Sequence, residues 1–244
     1  IINGSIYKSH EVHKDFVKIK FSKGNTNYEE KAKILVGADG AFSKVRRNSF
    51  PDKKAPRKYI AIQEWFENSQ NVNYYGAIFD SEITDFYSWI IPKEDILIVG
   101  SALLPNNDAN KKFALLKSKL KDYGFELNKS IRKNSAYLLR PQAVKQIQIG
   151  SGRIALIGEA AGFISPSSAE GLSYAFKSAL ALSDALSQGF ESWQDFYRKN
   201  TADLRRNIIL KNLKSPFMYN RILRKIVMKS GLLSIDMNLK LPLL

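Results

Sequence analysis

Residues 152–179 read GRIALIGEAAGFISPSSAEGLSYAFKSA, and this stretch says most about the fold. The apolar run at 154–157 predicts a buried strand, and a Pro-Ser-Ser loop and a helix over 171–186 follow it. Between strand and loop the chain uses small residues, which predict a tight turn whose backbone can approach a ligand closely. These small residues are Gly158, Ala160, Ala161 and Gly162.

The start of the helix has its own signal. Ser167 and Glu170 have the spacing of a capping box, which predicts that the helix N-terminus faces the turn. A helix N-terminus offers unpaired N–H groups and about half a positive charge, so it suits an anionic group. The alternative is an ordinary strand-turn-helix packing motif in which small residues serve close contact.

The same segment resembles the second flavin-binding motif, G-D-A-A-G-x-x-x-P-x-x-x-x-G, of FAD-dependent oxidoreductases, a group that includes aromatic hydroxylases and geranylgeranyl reductases. Its spelling is most similar to the geranylgeranyl reductase branch. The resemblance implies that Glu159, which stands where the family has Asp, lies at the ribityl and pyrophosphate part of FAD, and that residues 166–172 lie against the isoalloxazine ring. Besides the small residues of the turn, the implied cofactor-binding residues here are Glu159, Pro166, Ser167, Ser168, Gly171 and Leu172.

A second match lies upstream, where residues 38–46 read ADGAFSKVR after a strand-like run at 32–36. An Asp-Gly pair by itself is a routine turn. The segment nevertheless resembles the A-D-G-x-x-S-x-V-R signature of the same family, in which a substrate-covering domain separates the two signatures. The resemblance implies that Asp39 and Gly40 lie near the flavin, with Ser43 and Arg46 at the start of the next helix.

A third match falls between these two. Residues 87–92 read YSWIIP and residues 100–102 read GSA, which resembles a Y-x-W-x-F-P-x(7-8)-G-x-G pattern of geranylgeranyl reductases with two departures. The resemblance implies a lipid cavity lined by Tyr87, Trp89, Pro92 and Gly100. The alternative is an amphipathic pair of strands with Tyr87 and Trp89 on one face.

Together the patterns predict an α/β fold: a partial, Rossmann-like FAD-binding domain with an inserted antiparallel-sheet substrate domain and C-terminal helices. The insert is expected to contain strands at 59–66, 74–79, 86–91, 96–103 and 136–140 and a helix at 110–123. The expected divisions are residues 1–50 and 149–190 for the two FAD-binding segments, 51–148 for the substrate domain and 191–244 for the helical region.

No Gly-x-Gly-x-x-Gly occurs in the 244 residues. In the resembled family that motif admits the pyrophosphate of FAD to a helix N-terminus. We therefore expect this chain to lack the ADP-binding half, to bind whole FAD weakly by itself, and to expose a sheet edge. Either a separate N-terminal half covers that edge, or the chain is self-sufficient by some rearrangement, or it is marginally stable in isolation.

Composition excludes several classes of function. The chain contains no cysteine, which rules out disulfides, thiol catalysis and thiolate metal sites. His10 and His13 lie on a predicted strand without a third ligand nearby, so no metal site is expected. No apolar run approaches the roughly 18 residues of a membrane span, and no secretory signal begins the sequence, so a cytoplasmic location is expected.

The net charge of +15 is uneven, because residues 196–244 hold eleven lysines and arginines against two aspartates. This region predicts helices at 193–211 and 216–229, followed by a short tail. Basic amphipathic helices can lie on an anionic bilayer, which would make the protein peripheral to a membrane, or they can present an ordinary solvated face. No nucleic-acid-binding motif accompanies the charge, so no nucleic-acid partner is expected.

The function that the resemblance implies is FAD-dependent reduction of isoprenoid double bonds, with NADPH or ferredoxin as electron donor and an apolar small molecule as substrate. The sequence identifies no catalytic proton donor. Two alternatives remain: a flavin-dependent aromatic monooxygenase, and a non-catalytic fragment that binds a partner or a membrane.

Overall fold

The structure, a computed structural model, describes residues 1–70 and 72–230. The N-terminal part of the chain forms an antiparallel meander of three strands in the order β1-β2-β3. Gly24 has a positive φ of 57° at the turn between the second and third strands, a conformation that glycine adopts without strain. The strands are β1 (Ser5–Val12), β2 (Val17–Lys23) and β3 (Thr26–Ala32).

A second sheet contains the two strands that precede the predicted cofactor signatures. β4 (Leu35–Gly37) and β11 (Ile154–Leu156) are parallel neighbours, and β10 (Gly150–Ser151) pairs with β11 on its other side. Helices α1 (Lys44–Ser49), α3 (Gly158–Ala161) and α4 (Leu172–Ser187) contribute side chains to the same buried cluster as β11. Because the strand order is β10-β11-β4, β4 is an edge strand among the described residues.

The third sheet has five antiparallel strands in the order β6-β7-β8-β5-β9. Alternation along the strands separates its two faces, and α2 (Ala109–Asp122) covers one of them. Phe113 and Leu116 of this helix share a buried cluster with Ile62 and Val99 of the sheet. The strands are β5 (Arg57–Glu67), β6 (Gly76–Ile78), β7 (Ser88–Lys93), β8 (Ile96–Leu103) and β9 (Ser130–Arg140).

Three further helices follow: α5 (Trp193–Asn200), α6 (Ala202–Tyr219) and α7 (Arg221–Ser230). The indole of Trp193 donates to the carbonyl of Gly152, and the hydroxyl of Tyr197 donates to that of Leu156, so α5 docks on the second sheet.

The predicted helix boundaries in this region are wrong. The expected helix at 193–211 breaks at Thr201, and Pro216 lies in the last turn of α6 instead of starting a helix. Proline has no backbone N–H, so Pro216 removes only one hydrogen bond from the last turn of the helix, where it is tolerated. The predicted tail lies outside the described residues.

The mixed α/β architecture with an antiparallel insert and C-terminal helices confirms the predicted fold class. The division into domains stays a prediction. Over the described part of the chain, no helix combines the length and apolarity needed to cross a bilayer.

Candidate functional site

The two signatures meet at one edge of the second sheet. β4 and β11 run parallel, with Gly37 paired to Leu156, and Asp39 and Glu159 follow these two strands. The carboxyl ends of adjacent parallel strands form the crevice in which α/β proteins usually bind ligands. Segments separated by about 120 residues in the sequence are thus adjacent at a ligand-binding position of the fold.

Asp39 caps the helix that follows it. One carboxylate oxygen accepts hydrogen bonds from the backbone N–H groups of Lys44 (2.7 Å) and Val45 (3.3 Å), at the start of α1. Gly40 has a φ of 70°, and a Cβ there would meet no heavy atom within 4 Å. The backbone at Gly40 is therefore open to an approaching group.

Arg46 joins the two signatures. Its buried guanidinium donates to the carbonyl of Ala160 (3.1 Å) and to the carbonyl of Gln146 (2.6 Å). Its backbone N–H donates to the side chain of Ser43, the N-cap of α1. The sequence placed Ser43 and Arg46 at the start of this helix, which is confirmed, but it did not indicate that Arg46 holds the second signature in place.

The small residues after β11 form one helical turn, α3. Ala160 and Ala161 are fully buried, and a Cβ added to Gly162 would lie 3.3 Å from the carbonyl oxygen of Gln146 and 3.4 Å from a guanidinium nitrogen of Arg46. Gly162 also has a φ of 91°. The protein interior therefore requires small residues here, so their occurrence alone does not indicate a ligand.

Gly158 packs against α4. Its N–H donates to the hydroxyl of Ser178 (2.8 Å), and a Cβ in its place would lie 3.3 Å from the Cβ of Ala175. Its φ of 55° is also one that glycine accommodates best.

Glu159 reaches from the turn to the third sheet. Its Oε1 accepts a 2.6 Å hydrogen bond from the N–H of Leu139 on β9. Burial raises the pKa of this carboxyl, against the lowering effect of the Leu139 hydrogen bond. Within the described residues its Oε2 has no hydrogen-bond partner in the protein, so it can accept a hydroxyl.

The loop over 165–171 is held by three side chains from other elements. The carbonyl of Pro166 accepts from Nε of Arg140 (3.0 Å), that of Ser168 from the hydroxyl of Tyr87 (2.7 Å), and that of Ser167 from the hydroxyl of Tyr219. These contacts fix three consecutive carbonyls. They join the loop to β9, to the segment before β7 and to α6.

Inside the loop, Ser165 is buried and its hydroxyl accepts from the N–H (3.2 Å) and the hydroxyl (2.8 Å) of Ser168. The predicted capping box is wrong. Helix α4 starts at Leu172, too far along for Ser167 to cap it, and Glu170 instead accepts from the N–H of Ser173 (2.8 Å).

The predicted substrate residues do not all lie together. Tyr87 and Trp89 share a face, with ring centroids 5.6 Å apart, and Trp89 covers Gly100, where a Cβ would lie 2.2 Å from the indole. Gly100 thus makes room for Trp89. Pro92 pairs directly with Leu97, a core residue on the side of α2, so alternation places it on the opposite face.

An aromatic cluster beside the loop was missed by sequence reasoning. The guanidinium of Arg140 lies 4.4 Å from the ring centroids of both Phe86 and Tyr219, and its Nη1 donates to the backbone carbonyl of Asp85. Burial raises the pKa of Tyr87 and of Tyr219, which therefore remain neutral hydrogen-bond donors. These groups come from distant segments, so nothing in a single sequence connects them.

A groove of about 1060 Å³ adjoins this cluster on the side of β6. Its walls include Phe79, Phe86 and Tyr219, with Arg221 and Arg224 at the α7 end. None of the four predicted substrate residues lines this groove.

The fold described above is shared with several solved structures. The chain superposes on the geranylgeranyl bacteriochlorophyll reductase-like protein of Thermoplasma acidophilum with a TM-score of 0.70 and 16% identity, covering 92% of this chain and 69% of that one. For Klebsiella pneumoniae HpxO, solved with FAD and uric acid, the TM-score is 0.61 at 14% identity, with 93% and 62% covered. For the anhydrotetracycline hydroxylase OxyS of Streptomyces rimosus it is 0.60 at 18% identity, with 95% and 50% covered.

By sequence, the chain is 42% identical over 200 residues to protein CbrA of Escherichia coli O6:H1, covering 82% of this chain and 54% of the relative. CbrA of Shigella sonnei is equally similar, with 56% of it covered. The chain thus spans about half the length of these curated relatives. No family model matches the chain.

Proposed function

We propose that these residues form the flavin-facing part of an FAD-dependent oxidoreductase. The observation that carries the proposal is the meeting of the Asp39 and Glu159 segments at the carboxyl ends of β4 and β11, where Arg46 joins them. Open α/β sheets bind ligands at that position. The shared fold with HpxO, whose structure contains FAD, supports the same cofactor.

The polar groups and open backbone at this site suit the ribityl and ring portions of FAD. Oε2 of Glu159 is available to accept a ribityl hydroxyl, and the backbone at Gly40 is open to close approach. The N-terminus of α4, a helix of 16 residues, contributes a positive field beside the loop. We propose that the residues 166–172 contact the isoalloxazine ring.

Bound flavin supplies hydride transfer, and the protein orients the substrate and excludes water. In this proposal Tyr87, Arg140 and Tyr219 keep the loop carbonyls turned away from the ring by binding them. Tyr87 and Trp89 offer an apolar face to the substrate, although Pro92 lies on the other face and does not take part. We propose an isoprenoid double bond as the substrate group, which the likeness of residues 87–102 to the reductase pattern supports.

Anaerobic turnover tests this proposal. The purified chain is mixed with FAD, reduced with dithionite and incubated with geranylgeraniol, and the products are analysed by mass spectrometry. Saturation of double bonds, each adding two hydrogens, is expected. A replacement of dithionite by NADPH or by reduced ferredoxin then identifies the electron donor. Unchanged geranylgeraniol despite bound flavin would contradict isoprenoid reduction.

Aromatic hydroxylation is the second candidate, because OxyS and other hydroxylases share the fold. With NADPH, oxygen and an aromatic substrate, this candidate predicts that one oxygen atom is incorporated into the substrate. With NADPH and oxygen alone, it predicts the release of hydrogen peroxide. If neither the hydroxylated substrate nor hydrogen peroxide forms, and no flavin is bound, the non-catalytic role is favoured.

We also propose that another polypeptide segment covers the edge of β4. Val36 on this strand is exposed, and α4 presents the exposed apolar side chains of Leu172, Phe176 and Leu180 at helical spacing. Edge strands with unpaired backbone groups are sites of strand addition. A segment that pairs there would supply the contacts to the ADP part of FAD, for which these residues contain no Gly-x-Gly-x-x-Gly.

A further inference from the structure

Helix α7 combines exposed apolar side chains with an excess of positive charge. It contains Arg221, Arg224, Lys225 and Lys229 and no acidic residue. Its apolar side chains are not buried against the rest of the described chain, because Ile222, Ile226 and Met228 are 69%, 58% and 56% exposed. An amphipathic helix normally buries its apolar side chains, and an exposed apolar patch is typical of a surface that binds a partner.

Helix α6 continues the same pattern. Leu210, Leu213 and Phe217 are exposed and follow one another at helical spacing, with the exposed Arg206 and Lys214 beside them. Only Asn220 separates α6 from α7. Two helices that are consecutive in the chain therefore each expose apolar and basic side chains.

We propose that α6 and α7 form a docking surface for an anionic lipid bilayer. Lysine and arginine side chains are attracted to acidic headgroups, and aliphatic and aromatic side chains enter the boundary between headgroups and acyl chains. A second copy of this chain does not fit, because two surfaces of the same positive sign repel each other. Nucleic acid would match the charge, but its phosphate backbone offers no burial to Ile222, Ile226 or Met228.

Docking would place the loop over 165–171, which is proposed to contact the flavin, close to the bilayer. The hydroxyl of Tyr219, at the end of α6, donates to the carbonyl of Ser167 in that loop. On the other side of Asn220, Arg224 of α7 donates to the carbonyl of Met218 and lies 4.8 Å from the ring centroid of Phe79. The docking helices are thus fixed to the body of the protein at their junction. Bilayer binding itself does not depend on the flavin proposal.

Vesicle co-sedimentation of the full chain tests the proposal. Vesicles of phosphatidylcholine alone are compared with vesicles that contain phosphatidylglycerol, at several salt concentrations. We expect binding only to the anionic vesicles, weakening as salt increases. The double variant Lys225→Gln/Lys229→Gln should lower the partition coefficient roughly 25-fold, at about fivefold for each basic residue.

A matched control removes the same charge elsewhere. Lys53 and Lys54 are exposed and lie between α1 and β5, and Lys53→Gln/Lys54→Gln should leave binding unchanged. An equal loss in both double variants would overturn the proposal, since it would show attraction by net charge alone. So would failure to bind anionic vesicles, or retention of RNA in their place.

The apolar contribution is tested separately. Ile222→Asn/Ile226→Asn replaces exposed apolar side chains by neutral polar ones, so the net charge is unchanged and the fold should persist, as circular dichroism would show. This variant should lose most vesicle binding in high salt as well as in low salt. Binding equal to that of the wild-type chain would contradict insertion of α7 into the bilayer.

Discussion

The hydroxyl of Tyr87 donates a 2.7 Å hydrogen bond to the backbone carbonyl of Ser168, which connects the antiparallel insert to the loop that follows the second signature. Burial raises the pKa of Tyr87, so the phenol stays protonated and can donate at neutral pH. Tyr219 makes the equivalent bond to Ser167 from the C-terminal helices. The position of this loop therefore depends on two segments that are remote from it in sequence.

Tyr87→Phe removes this donor and leaves the carbonyl of Ser168 without its partner. We expect a loss of about 1 kcal/mol in the free energy of unfolding, measured by urea denaturation. Tyr28→Phe is the matched control, because Tyr28 is exposed on β3 and stacks on Phe21, a contact that phenylalanine retains. Equal stability changes in the two variants would show that the bond to Ser168 contributes nothing.

Gly100→Ala places a methyl group where the indole of Trp89 lies, 2.2 Å from its nearest atom. The ring must move, so we expect a destabilisation of about 1–3 kcal/mol and altered tryptophan fluorescence. In the same sheet, a Cβ at Gly76 would make only ordinary contact with Ile90, at 3.7 Å. Gly76→Ala should therefore be close to neutral, and a similar loss in both variants would contradict the packing of Trp89 on Gly100.

Ala169 has a φ of 53° within the loop, a conformation that costs a residue with a Cβ about 1–2 kcal/mol. Ala169→Gly removes that strain and loses about 0.5–1 kcal/mol to backbone entropy, so a small net stabilisation is expected. Ala143 has an extended φ of −153°, so Ala143→Gly gains nothing and should destabilise. Thermal unfolding gives the sign of each change, and the same sign in both variants would be inconsistent with strain at Ala169.

Glu159 and Glu64 should affect stability in opposite directions as the pH changes. Burial raises the folded-state pKa of Glu159 above the ordinary value of a glutamate, so its favourable contribution is present below the unfolded pKa and is lost as the pH rises through the folded pKa. Glu159→Gln should therefore gain stability relative to the wild-type chain as the pH increases from 4 towards neutrality.

For Glu64, burial acts to raise the pKa, but the hydrogen bond and charge of Lys117, 2.7 Å away, lower it overall. Its contribution is present above the unfolded value and is lost as the pH falls through the folded pKa. Glu64→Gln should be less stable than the wild-type chain at pH 7, and this deficit should shrink in acid. Parallel pH profiles for the two variants would show that the burial of Glu159 does not control its titration.

The sequence predicted the parts of the fold that periodicity determines. The strand at 96–103 has the predicted bounds, and the helix expected at 110–123 is Ala109–Asp122, because both have a strong apolar repeat. The helix boundaries near Thr201 and Pro216 were wrong, since there tertiary packing and tolerance of proline in a last turn override the local signal.

The candidate site was predictable only where a motif exists in the sequence. Asp39 and Glu159 follow two strands that pair in parallel. The resemblance implied that both motifs lie near one cofactor, but it did not specify how their strands pair. Arg46 donates to the carbonyl of Gln146, about 100 residues away, and Arg140 donates to the carbonyl of Pro166, 26 residues away. Contacts between such distant residues leave no local pattern in the sequence. Pro92 was misplaced because a strand alternates faces, and it lies an odd number of residues from Trp89.

A titration of the purified chain with FAD, followed by the flavin absorbance near 450 nm, tests the central claim most directly. Glu159→Gln is measured beside Glu30→Gln, an exposed control on β3. We predict that the wild-type chain and the Glu30 variant bind flavin and that the Glu159 variant binds roughly tenfold more weakly, because a neutral amide NH₂ replaces the carboxylate oxygen that would accept the flavin hydroxyl. Equal binding by both variants, or no flavin binding by the wild-type chain, would contradict a flavin site at the ends of β4 and β11.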